Sequence, residues 1–154
     1  MIDEQHIKAL TEQKIGGTPL FLVDIKVKPV NKIEVYIDAP QHVTVDDCVG
    51  LSRFIESGLN RDMEDFELTV SSPGLDQPFK VLSQYQKYTG KEVSVLKKDG
   101  IKVIGKLYNA GKEVVEIETK RTERKEKGKG RHTVIENICI DLNQIKETKL
   151  ILPF

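Results

Sequence analysis

No stretch of this sequence approaches the roughly 20 consecutive apolar residues that a membrane-spanning helix needs, and the opening Met1–Ala9 is too polar for a secretory signal. No membrane partner and a cytoplasmic location are therefore expected. Cysteine is scarce. Cys48 and Cys139 stand far apart, without CxxC spacing or clustered His, which excludes a disulfide scaffold or zinc module and leaves free thiols, buried within apolar-periodic segments, as the expectation. His6, His42 and His132 are scattered, with no partner at i, i+4, so neither metal nor nucleophilic catalysis has a visible constellation. Ser71 and Ser72 lack a GxSxG elbow, and Lys127-Gly-Lys-Gly-Arg131 lacks the GxxxxGK[ST] of a nucleotide loop. Asp46 and Asp47 are adjacent, but neighbouring helical residues point about 100° apart rather than at one substrate. No enzyme, catalytic residue, metal or cofactor is expected.

What the chain has is charge, in equal amounts of both signs: 24 Lys/Arg and 24 Asp/Glu in 154 residues. The signs are not evenly spread. Residues 1 to 82 hold 8 basic and 14 acidic residues, and residues 83 to 154 hold 16 basic and 10 acidic. The positive excess concentrates in Lys120, Arg121, Arg124, Lys125, Lys127, Lys129 and Arg131, opposed only by Glu123 and Glu126. Such a segment can meet phosphates by long-range attraction with little sequence preference, each Arg gripping two oxygens, or it can be a solvated hairpin tip. Charge alone does not separate these readings, and no aromatic lies in 120 to 131 to stack a base.

The apolar pattern divides the chain. Ile7, Leu10 and Ile15 lie at helical spacing over 3 to 14, with Gly16-Gly17 as the stop. Leu20 to Val27 and Lys32 to Asp38 read as a strand pair across Pro29-Val30-Asn31. Thr44 and Asp47 form a capping-box pattern before a helical stripe of Val45, Cys48, Val49, Ser52, Ile55 and Leu59, so a second helix is expected over 45 to 60. Phe66, Leu68 and Val70 alternate into Ser72-Pro73-Gly74, whose Pro-Gly pair fits a type II turn. Asp76 is then placed to cap a helix from 77 to 88, ended by Gly90.

Beyond it, strands are expected at Glu92 to Lys97, Ile101 to Asn109, Glu113 to Thr119, His132 to Ile140 and Leu150 to Leu152, with one helical turn at Leu142 to Ile145. The expected fold is α+β: an N-terminal α-β-β-α-β domain, 1 to 82, followed by a small β-barrel, 83 to 154. The segment 120 to 131 would form a long hairpin tip between the third and fourth barrel strands.

The run Phe66-Glu-Leu-Thr-Val-Ser-Ser-Pro-Gly-Leu-Asp-Gln-Pro-Phe79 resembles the signature of the RimP ribosome maturation factors, bacterial proteins of small-subunit assembly. Val35-Tyr-Ile-Asp38, Val43 to Cys48 and the terminal Leu152-Pro-Phe154 extend the likeness over the whole chain. The resemblance implies an Sm-like or SH3-like C-terminal barrel. It implies a non-enzymatic factor that binds the immature small (30S) subunit, its 16S rRNA and small-subunit ribosomal protein twelve. Ser71, Ser72, Pro73, Gly74, Leu75, Asp76 and Pro78 carry over as the motif; rigidity at the domain junction is a rival role for them. Relatives commonly have Arg where this chain has Gln77, and a neutral amide cannot make the charge-assisted phosphate contact of an Arg. The other reading is a general Sm-like RNA-binding module acting on mRNA. Nothing in the sequence demands more than a monomer.

Overall fold

A computed structural model describes residues 2–124 and 131–152, which divide into two compact units, Met1–Gly74 and Leu75–Phe154. The first unit opens with helix α1, Glu4–Ile15, where the Asp3 carboxylate accepts the Gln5 N–H at 3.0 Å and satisfies one of the orphan donors of the first turn. Ile7, Thr11 and Ile15 form its buried stripe; the Thr11 hydroxyl donates back to the Ile7 carbonyl at 2.8 Å, so its burial leaves no polar atom unpaired. Strands β1, Phe21–Lys28, and β2, Lys32–Asp38, form an antiparallel hairpin, with Asn31 in the left-handed region at φ 49°. Asn31 also ties this turn down. Its amide nitrogen donates to Glu64 Oε2 and the Asp65 carbonyl, and its side-chain oxygen accepts the Ile2 N–H.

Helix α2, Val45–Ser57, starts at a reciprocal capping box: Thr44 Oγ1 accepts the Asp47 N–H at 3.1 Å and Asp47 Oδ2 accepts the Thr44 N–H at 3.0 Å. It carries the chain across to β3, Glu67–Ser71, which pairs in parallel with β2 to give the order β1-β2-β3. Ile33, Val35 and Ile37 alternate toward the helices and meet Ile7, Leu51 and Ile55 in the core. Of the expected stripe on α2, Ile55 is buried and Cys48 and Leu59 pack against the core, whereas Val45 and Val49 are exposed and Leu51, outside the stripe, is buried in their stead.

In the second unit the expected helix from 77 to 88 shortens to α3, Leu82–Lys87, preceded by Val81 rather than capped by Asp76. Gln84 supplies the start of this helix: its buried side-chain oxygen accepts the backbone N–H groups of Lys80 and Val81. Strands β4 (Glu92–Lys97), β5 (Lys102–Ala110), β6 (Val114–Arg124) and β7 (Arg131–Asp141) follow. After a single 3-10 turn at Leu142–Gln144 comes β8, Ile145–Leu150. The last strand therefore lies before the expected Leu150 to Leu152, because Thr148, not a hydrophobic residue, fills its buried position.

All ladders in this unit are antiparallel, in the order β7-β6-β5-β4-β8. The expected closed barrel is corrected to an open five-stranded sheet. β7 pairs with β6 through all eleven of its residues, the chain turns over one 3-10 turn, and β8 goes to β4, so β7 and β8 become the two edges. Val93, Val95, Leu107, Val115, Ile117 and Ile140 form the core of this unit, with Tyr85 of α3 packed into it.

Candidate functional site

The signature run is split between the units, Ser71–Gly74 ending the first and Leu75–Pro78 beginning the second. β3 is delivered to it by Arg61, whose guanidinium lies 3.9 Å from the Phe66 ring centre and donates to the Phe66 carbonyl and Asp65 Oδ1, both at 2.9 Å. Ser71 closes β3 opposite Tyr36 of β2 and is half-buried, whereas Ser72 and Gly74 are exposed and Pro73 is half-buried. Ser71 and Ser72 lie at one end of a groove of about 510 Å³ between α2 and β3, lined mainly by Val43, Val45, Cys48, Val49, Leu68 and Val70.

Leu75 and Asp76, not Pro73 and Gly74, form the turn, and Leu75, Asp76 and Gln77 are all exposed. The Gln77 amide donates to Asp76 Oδ1 at 3.5 Å, a contact at the limit of a hydrogen bond. Pro78 leads directly to an anchor the sequence reasoning missed. The Phe79 N–H donates to the Thr148 carbonyl at 2.8 Å, and its ring meets Tyr85 edge-on at 5.0 Å and stacks on Tyr88 at 5.3 Å. Tyr85 in turn donates its buried hydroxyl to Thr148 Oγ1 at 2.8 Å, and burial pushes its phenol pKa up against the lowering effect of that bond. Three aromatics at Phe79, Tyr85 and Tyr88, in a chain with only nine Phe and Tyr, are the signal that could have revealed this cluster.

The basic segment is differently built from a hairpin tip beginning at 120. β6 runs on to Arg124 and β7 starts at Arg131, with Lys120↔Ile135, Arg121↔Val134, Thr122↔Thr133, Glu123↔His132 and Arg124↔Arg131 in register. The backbones of Lys120, Arg121, Arg124 and Arg131 thus belong to a paired ribbon. Strands tolerate long polar side chains wherever one face is solvated, so the charges do not end the ladder. The Lys120 side chain is exposed, and Ile135 across from it is 58% exposed. Lys125, Lys127 and Lys129 lie outside the described residues.

Elsewhere several charged groups are committed to local structure. On the polar face of β1 and β2, Lys28 Nζ sits 3.1 Å from Glu34 Oε1 and the Tyr36 hydroxyl donates to Glu34 Oε2 at 2.9 Å. These two hydrogen bonds hold the Glu34 pKa below its ordinary value, and the bond to Glu34 raises that of Tyr36. Asp47 is held in the cap of α2, and among the described residues no three His, Cys, Asp or Glu side chains gather as a metal site. The thiols are free but less buried than expected: Cys48 is half-buried and Cys139 exposed. Burial, with Asp47 adding a smaller effect, pushes the Cys48 thiol pKa up, which makes it a poor nucleophile. No helix among the described residues is long and apolar enough to cross a membrane.

Comparison with known proteins places these features in a sequence family. Residues 10–76 match the model of the RimP N-terminal domain, which ends on Asp76 of the signature run. A protein of Porphyromonas gingivalis named ribosome maturation factor RimP is 36% identical over 152 residues, spanning 99% of this chain and all of its own length. Proteins of the same name from Flavobacterium psychrophilum and Christiangramia forsetii are each 33% identical; the first alignment spans all of both chains, the second 98% of this chain and 99% of the relative.

Proposed function

The chain belongs to the RimP family of ribosome maturation factors, and we propose that it acts without catalysis on the small ribosomal subunit. In this reading it works in the cytoplasm as a monomer, without a cofactor. It binds the immature subunit while 16S rRNA and ribosomal proteins reach their arrangement, and then leaves. The observation that carries the reading beyond the family is the division of charge along the two folded units. Residues 1–74 hold 7 basic and 13 acidic residues, and residues 75–154 hold 17 basic and 11 acidic. A basic protein and an RNA are then drawn to different units of the same chain. The acidic unit meets small-subunit ribosomal protein twelve. The ribbon carrying Lys120, Arg121, Arg124 and Arg131, with Lys125, Lys127 and Lys129 beyond it, meets the phosphates of 16S rRNA. Ser71 to Pro78 serves as the stiff passage from β3 to the Phe79 anchor.

Co-sedimentation of the purified protein with immature small subunits, mature small subunits and large subunits, across a salt series, tests the reading. Preferential, salt-sensitive retention on the immature small subunit is the expected result. Equal retention on all three particles, or binding to free RNA with none to particles, would replace this reading with that of a general RNA-binding module.

A further inference from the structure

The first sheet ends on β3, and among the described residues no strand pairs with its outer edge. Such an edge is a row of backbone donors and acceptors ready for another strand. Above it α2 carries an apolar stripe wider than the core can cover. Leu51 and Ile55 are buried in the core, while Val45 and Val49, one turn apart, are 79% and 40% exposed. A helix is about 10 Å across and strands are about 4.8 Å apart, so one helix covers two strands. Val45 and Val49 line one groove together with Leu68 and Val70 of this edge strand. The groove holds about 510 Å³, and Leu68 and Val70 on its β3 side are only half-buried. An apolar layer stops here one strand short of complete.

The surroundings say what fits. No lining residue of the groove is charged, whereas Asp46 follows Val45 and the exposed Glu67 opens β3, in a unit with 13 acidic against 7 basic residues. We propose that this groove receives an extended, basic peptide segment of a protein partner, added as a further strand on β3. Its alternate aliphatic side chains enter the groove, and its intervening Lys or Arg side chains lie on the polar sheet face beside Glu67. This rests on the reading that the acidic unit meets a basic ribosomal protein, and it names the surface used.

The test uses the full chain and a labelled peptide of alternating Lys and Val, seven residues long with blocked ends, followed by fluorescence anisotropy and amide hydrogen exchange. Binding with new protection of amides in Glu67–Ser71 is the expected result. Val45→Lys with Val49→Lys should weaken it about tenfold or more. Val45→Lys alone serves if the double variant does not fold, and Val30→Lys, at a site 90% exposed in the hairpin turn, should leave binding unchanged. The proposal is overturned if the groove variants bind as the native chain does, if a peptide with Pro at its centre binds equally well, or if the alternating peptide does not bind. Protection of β3 by a single-stranded oligonucleotide, or by dimerisation without peptide, also overturns it. Co-sedimentation separates the two readings: a chain retained on immature small subunits that ignores the peptide loses only the groove, and a chain that binds the peptide but is not retained loses only the ribosomal role.

Discussion

Tyr85 shows how much one polar atom decides in a small core. Its hydroxyl is buried and bonds Thr148 at 2.8 Å, and Thr148 is buried as well, so neither group has water as an alternative partner. Tyr85→Phe leaves the Thr148 hydroxyl without its partner and should cost about 1 to 2 kcal/mol at neutral pH, read by urea denaturation. The pH dependence follows from the raised phenol pKa. The folded protein holds this proton more tightly than the unfolded chain does, so the contribution is fully present below the ordinary phenol value of about 10 and is lost as pH rises through the folded value. Alkaline destabilisation should therefore be shallower in Tyr85→Phe than in the native protein. Identical alkaline limbs in the two proteins would remove Tyr85 as their cause.

At the scale of the element, β5 depends on a missing side chain. A Cβ at Gly105 would stand 2.4 Å from the Glu118 carbonyl oxygen and 2.8 Å from Ile117 Cγ2. Both belong to β6, the strand paired with β5, so the oxygen cannot retreat without breaking the ladder. Gly105→Ala should cost about 1 to 3 kcal/mol through overpacking. The same substitution at Gly50, inside α2 with nothing within 4 Å, should be neutral or add up to about 1 kcal/mol through helix propensity. Thermal denaturation should show a clear loss for Gly105→Ala and none for Gly50→Ala; equal effects would mean that β6 can yield. Alternation of apolar and polar residues reveals β5 as a strand, but the approach of β6 that makes residue 105 a glycine is a tertiary fact. For α2 the pattern gave helix and cap correctly, yet it could not say which part of the apolar stripe met the core. Only the position of the sheet edge decides that.

At the scale of the whole molecule, the zero net charge is the sum of a −6 unit and a +6 unit. If the ribbon meets phosphate, binding displaces counterions in proportion to the contacts made. Replacing Arg121, Arg124, Lys125 and Lys129 by Gln should then reduce the log–log salt slope of subunit binding by about 3. An unchanged slope in the co-sedimentation series would assign these residues to solubility alone.

The order of elements, the capped start of α2, the charge division and the family are legible in the sequence alone. Each is encoded locally, in periodicity, turn residues and composition, or in the run from Phe66 to Phe79. The tertiary structure decided what depends on distant residues meeting. It leaves the second sheet open, because β8 pairs with β4 rather than with β7. It extends β6 and β7 into the basic segment, because Lys120 to Arg124 find partners from Ile135 back to Arg131. It ties the signature run to Thr148, about seventy residues on, through Phe79. Strand partners, sheet edges and close backbone approaches are relations between segments, and no local pattern carries them.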